Sequence, residues 1–122
     1  DDFVRKLKAL GPIPDNAILV TANVVGLYPH IPHKIGLRVL KLALDQREDN
    51  EIPTSELLLL AEFVLNNNYF EFNGETFHQL AGTAIGTKFA PAYACIFMDF
   101  LERKMLEQSK YKPLTWWRYY TI

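Results

Sequence analysis

Apolar residues recur at two different periods along this chain, and the switches between them divide it into elements. In residues 1–10, Phe3, Val4, Leu7 and Leu10 share one face of a 3.6-residue period, and Asp1 and Asp2 suit the positive amino end of a helix. Gly11-Pro12 ends that helix, and Pro14-Asp15-Asn16 makes a turn. Residues 18–25 (ILVTANVV) are apolar and β-branched, which predicts a buried strand interrupted by Thr21 and Asn23. A loop over residues 26–32 holds Pro29 and Pro32. From residue 33 to 46, Ile35, Val39, Leu42 and Ala43 return to helical spacing, with Leu37, Leu40 and Leu44 widening the stripe. After a charged connector, a helix opens at residues 54–56, where Thr54 or Ser55 can supply the cap. Its run over 57–65 is apolar enough to predict burial on most sides, and Asn66-Asn67-Asn68 ends it.

Residues 69–79 alternate in β fashion around Asn73-Gly74, the strongest short-range hairpin signal a sequence carries. Residues 82–86 (GTAIG) form a glycine-flanked loop. Pro91 suits the first turn of a helix that runs to about residue 108, with Tyr93, Ile96, Phe97, Phe100, Leu101 and Met105 as its apolar face. Residues 114–122 (LTWWRYYTI) predict a strand inside which the sequence stops. The order α β α α β β α β points to an α+β fold.

A chain of 122 residues makes one domain or a piece of one, so a multi-part enzyme with several subdomains does not fit. An apolar share of 49% with 13% aromatics excludes intrinsic disorder. No apolar run reaches the roughly 18 residues of a membrane span. The single cysteine, Cys95, excludes an internal disulfide framework and a cysteine-based zinc site, and points to an intracellular setting, nuclear or cytoplasmic. The net charge of −1 is a cancellation: residues 1–47 carry seven Lys/Arg against four acids, residues 48–80 seven acids and no Lys or Arg, and residues 81–122 six against three. The two end blocks can form a phosphate-binding surface if they fold together; otherwise they are ordinary solvated helix faces.

Several residues with reactive side chains have ordinary roles. His30 and His33 flank Pro32 and read as turn histidines rather than a metal pair. His78 has a cross-strand surface role on the hairpin. Asp99 reads as a solvated helix carboxylate, and Cys95 as a small residue of an apolar helix face. The asparagine run contains no glycosylation sequon.

Three segments in order, residues 20–32 (VTANVVGLYPHIP), 80–98 (LAGTAIGTKFAPAYACIFM) and 116–119 (WWRY), resemble reverse transcriptases, most nearly those of Penelope-like retroelements. The stretches RKLKALGPIPDNAILV and NNNYFEFNGETFHQ are similar to that family as well, so the resemblance covers nearly the whole chain as a single partial domain, residues 1–122. It implies a palm-like antiparallel sheet with packed helices and an added hairpin, truncated at the last strand. It also implies an ancestral reaction: template-directed DNA synthesis with two Mg²⁺ ions, an RNA template, a DNA primer and deoxynucleotides. Tyr28 falls at the aromatic steric gate. Gly82, Thr83, Gly86, Thr87 and Lys88 match the loop that approaches the nascent base pair and template, and Arg118 falls near the primer end. Read without the resemblance, Tyr28 is a strand-end aromatic packed on a helix, the glycine loop leads into a helix, and Arg118 is a strand-surface cation.

The metal-binding positions depart from the family pattern. Where the palm strand has A-D-V-x-x-L-Y, this chain has Ala22-Asn23-Val24-Val25-Gly26-Leu27-Tyr28, so Asn23 stands at the aspartate position. Thr121 and Ile122 stand where two further aspartates follow W-W-R-Y. Two-metal phosphoryl transfer needs carboxylates around ions about 3.5–4 Å apart, and Mg²⁺ prefers anionic oxygens. The expectation is a reverse-transcriptase fragment that is catalytically inactive and binds no Mg²⁺. The alternatives are a non-catalytic nucleic-acid-binding or protein-interaction module, or a decaying gene fragment. Self-association through an incomplete sheet edge is expected alongside.

Overall fold

A computed structural model describes residues 1–119; the readings placed on Thr121 and Ile122 lie outside the described residues. Helix α1 spans Asp2–Ala9, α2 His33–Leu44, α3 Thr54–Asn66 and α4 Ala90–Gln108, and strands β1 (Tyr69–Phe72) and β2 (Glu75–His78) stand between α3 and α4. A 3₁₀ turn, Tyr28–His30, precedes α2. The α+β class therefore holds, with four α-helices and one two-stranded antiparallel sheet among the described residues.

The core is helical. Both α3 and α4 pack on α2. Val39 and Leu40 of α2, Ala61 and Leu65 of α3, and Tyr93, Ala94 and Phe97 of α4 close around Ile31, which is wholly buried although it lies outside any helix. α1 buries no residue. Its Asp1 carboxylate caps the helix by accepting from Phe3 N at 3.1 Å, and Asp2 pairs with Lys6 one turn on. Phe3 meets Trp117 edge-on at 5.8 Å and Tyr119 at 6.1 Å, which brings the amino-terminal helix against residues 117–119.

Two predicted strands do not form. Residues 18–25 are in no ladder, and Ile18, Leu19, Val20 and Val25 are three-quarters or more exposed. Residues 114–119 are likewise in no ladder. β-propensity reports how well a side chain fits a paired, half-buried surface. A β-branched run that faces no neighbouring strand and no core leaves its backbone groups to water. Among the described residues the antiparallel sheet is the hairpin alone.

The hairpin has the register Tyr69↔His78, Phe70↔Phe77, Glu71↔Thr76 and Phe72↔Glu75. Asn73 (φ 52°) and Gly74 (φ 78°) both take positive φ, as a two-residue type I′ turn requires. All eight strand residues are exposed.

Two helix features also differ from the sequence reading. α3 has no side-chain cap, because its N-cap position is Pro53, which carries no side-chain acceptor, and Thr54 is already the first helical residue. Nor is α3 buried on most sides. Among the described residues it packs on α2 along one side, and Leu59, Leu60 and Phe63 are 61, 61 and 66% exposed. The asparagine run ends the helix by donating to its last carbonyls: Asn67 Nδ2 reaches Phe63 O at 2.8 Å and Asn68 Nδ2 reaches Val64 O at 2.6 Å. No described helix is long and apolar enough to cross a membrane.

Candidate functional site

The turn at Tyr28 is built from its own sequence. Pro29 fixes φ for the first 3₁₀ residues, and His30 N bonds Leu27 O at 3.1 Å. The His30 ring closes the turn by donating from Nδ1 to Gly26 O at 2.6 Å. A carbonyl oxygen only accepts, so the proton sits on Nδ1. The chain then drops Ile31 into the core and enters α2 at His33, with Gly36 N bonded to Pro32 O at 2.8 Å.

Half the chain away, the loop 82–88 lies against that turn. Thr83 N donates to Tyr28 O at 2.8 Å. His33 Nε2 donates to Gly82 O at 2.6 Å across 49 residues of sequence. Gly82 has φ +72°, and a Cβ there would lie 2.4 Å from the Pro29 carbonyl oxygen, so only glycine fits this approach of two backbones. Thr83 is 1% exposed, and its hydroxyl has no hydrogen-bond partner among the described residues. Beneath these loops, Tyr93 stacks on Phe89 at 4.8 Å and lies over Gly36. Burial pushes the Tyr93 phenol up to about 12.

Of the residues singled out in the sequence, the fold thus joins Tyr28, Gly82 and Thr83. The remainder of the loop faces outward. Gly86 and Lys88 are exposed, and Thr87 turns its hydroxyl back to Ala84 O at 3.3 Å. Asn23 is exposed in the unpaired stretch 18–25. Arg118 lies against α4, its guanidinium 3.2 Å from Glu102. Asp99 pairs with Arg103 at 2.9 Å.

His33, Gly36 and Tyr93 complete the cluster; residue patterning gave Tyr93 only as part of an apolar helix face and His33 only as a turn histidine, and did not mark Gly36. Patterning shows periodicity within an element, not which distant carbonyl an imidazole will meet. His30 and His33 bond separate carbonyls. His78 stacks on Tyr69 across the strands at 4.8 Å and donates to Asn66 O at 2.6 Å. Cys95 is half-buried.

Asn23 offers a neutral amide, and among the described residues no three His, Cys, Asp or Glu side chains are placed to hold a metal. Cations are present near the cluster. Lys34 and Arg38 are exposed four residues apart on α2, and Lys88 is exposed on the loop. Arg5 and Lys6 both pair with Asp2. An open groove of about 510 Å³ runs between α2 and α4, lined by Leu42, Ile96, Phe100 and Arg103 among others; no residue of the Tyr28 cluster lines it.

No family model matches this chain, and no curated protein or solved structure is significantly similar to it.

Proposed function

We propose that this protein is a palm-and-fingers segment of a retroelement reverse transcriptase that has lost polymerase chemistry. The observation that supports the reading best is the pair of hydrogen bonds that ties the Gly82-Thr83 loop to the Tyr28 turn and to His33 just after it. The resemblance assigns those two segments, more than 50 residues apart, to one nucleotide- and template-facing surface, and they lie against each other. Tyr28 then bounds the sugar side of that surface, and the loop 82–88 offers Lys88 toward a phosphate backbone. RNA template, DNA primer and deoxynucleotide are the ligands of this reading.

The inactivity rests on chemistry. Asn23, Thr121 and Ile122 supply no carboxylate, so the two metal ions have no anionic ligands at those positions. Primer extension on an RNA template, with Mg²⁺ or Mn²⁺, is expected to stay at background. Asn23→Asp alone is expected to stay there too, since residues 121 and 122 still lack carboxylates. Incorporation above a no-protein control by the natural chain would overturn the reading.

One observation favours a second reading, a non-catalytic nucleic-acid-binding module. The two basic end blocks do meet: Phe3 contacts Trp117, and the Lys6 ammonium lies 5.3 Å from the centre of the Tyr119 ring. Trp116 and Tyr119 are nearly half exposed beside them, as stacking platforms for bases would be. Gel shifts with single-stranded RNA and DNA test it: binding should weaken steeply with salt, and no binding at low salt would remove it.

A further inference from the structure

The acidic middle of the chain supplies no site residue to either reading, yet it holds a dense exposed apolar surface. On α3, Ala61 and Leu65 face α2. Leu59, Leu60 and Phe63, at i, i+1 and i+4, fall within about 100° of one another on the other side. All three are more than 60% exposed, which makes a stripe along the helix. The stripe runs toward the hairpin, which is tied to the helix end by Gln79 N to Asn68 O at 2.8 Å and by the His78–Asn66 bond. On the hairpin, Phe70 and Phe72 share one face and are 50 and 70% exposed. Clustered apolar surface of this kind marks an interaction site.

Charge decides the kind of partner. Residues 48–80 contain seven acids and no Lys or Arg, and none of those acids is in an ion pair among the described residues. Glu56 and Glu62 flank the stripe on α3, and Glu71 and Glu75 stand on the hairpin. Such a surface repels a phosphate backbone or an anionic bilayer. It complements a polypeptide that is apolar along one side and cationic along its margins. A stripe on a helix is read most naturally by a second helix, with anchors at i, i+3 and i+4.

We infer that the outer side of α3 and the adjoining hairpin form a docking surface for a basic amphipathic helix of a partner protein. The inference does not depend on the polymerase resemblance. The test uses the full chain and fluorescence anisotropy with three labelled peptides of equal length. The first has leucines at helical spacing and lysines elsewhere, the second has glutamate in place of each lysine, and the third has serine in place of each leucine. The first is expected to bind at least about 10-fold more tightly than either control. Phe63→Ser should weaken it by about 10-fold. The Glu56→Gln, Glu62→Gln double variant, which leaves the apolar contact intact, should weaken it by about 3-fold at low salt and flatten its salt dependence.

Equal binding of the serine peptide would reduce the effect to bulk charge and overturn the inference. So would equal binding by the Phe63→Ser variant, provided circular dichroism shows it folded. Concentration-dependent dimerisation that Phe63→Ser abolishes, with no peptide bound, would assign the surface to a second copy instead. Preference for an RNA oligonucleotide at this face would overturn the inference as well.

Discussion

Gly36 lies where α2 passes beneath Tyr93, and replacing it with alanine is the most direct probe of the helical core. A Cβ at this position would sit 1.7 Å from Tyr93 Oη, 2.5 Å from Cζ and 3.0 Å from Ile31 Cγ2. The ring cannot swing away, because Tyr93 is 1% exposed, Phe89 stacks on it and Ile31 is wholly buried. Overpacking of a tight core costs about 1–3 kcal/mol, and displacing a whole ring belongs at the upper end. Alanine regains about 1 kcal/mol of helix propensity over glycine. The net expectation is a loss of about 2 kcal/mol. For a chain of this size that is roughly an 8 °C fall in Tm.

Tyr93→Phe behaves differently. It removes a buried hydroxyl that has no partner among the described residues, so the single variant should be neutral or stabilising by about 1 kcal/mol. In the double variant the 1.7 Å clash is gone but the 2.5 Å approach to Cζ remains, so rescue is partial, with a coupling of about 1 kcal/mol. Urea unfolding followed by far-ultraviolet circular dichroism reads all four corners of the cycle, since the core is helical. A Gly36→Ala variant as stable as the natural chain, or a coupling of zero, would refute the packing of α2 on α4 through this tyrosine.

Other outcomes follow from the same geometry. Because burial raises the Tyr93 phenol to about 12 from 10.0 by disfavouring the phenolate, stability is independent of this group below pH 10 and falls as pH rises from 10 toward 12. Absorbance titration near 295 nm should show one late-ionising tyrosine that Tyr93→Phe abolishes; the same curve in both proteins would contradict it. Gly82→Ala puts a Cβ against the Pro29 backbone at positive φ, for a loss of about 3 kcal/mol. The Thr83 amide, bonded to Tyr28 O, should exchange much faster with deuterium in that variant, and unchanged protection would show that the two loops do not depend on each other. The unpaired apolar run 18–25 is expected to promote self-association, so light scattering should show species larger than a monomer that Val20→Lys, Val25→Lys reduces. A monodisperse monomer at high concentration would count against this.

Local patterning decided the elements that local physics can hold. The helices at α1, α2, α3 and α4 follow from apolar spacing and terminators, and the hairpin follows from Asn73-Gly74 between alternating runs. Each closes most of its hydrogen bonds within itself, so no distant partner had to be known. The same local evidence was silent, or misleading, wherever the outcome depended on a neighbour. Residues 18–25 have the composition of a strand, but a strand exists only beside another, and none of the described residues pairs with them. Leu59, Leu60 and Phe63 are as apolar as the core residues Ala61 and Leu65, yet among the described residues α3 packs along one side, on α2, and these three face water. The sequence likewise named Tyr28, Gly82 and Thr83 separately. Their meeting required α2 and α4 to pack, which carries the loop before each helix to the same place and lets His33 reach Gly82. That Asn23, Thr121 and Ile122 carry no carboxylate was legible in the sequence, because the identity of a side chain sets its charge regardless of the fold. Which surfaces are left to be used was decided by tertiary packing, since only packing determines what is covered.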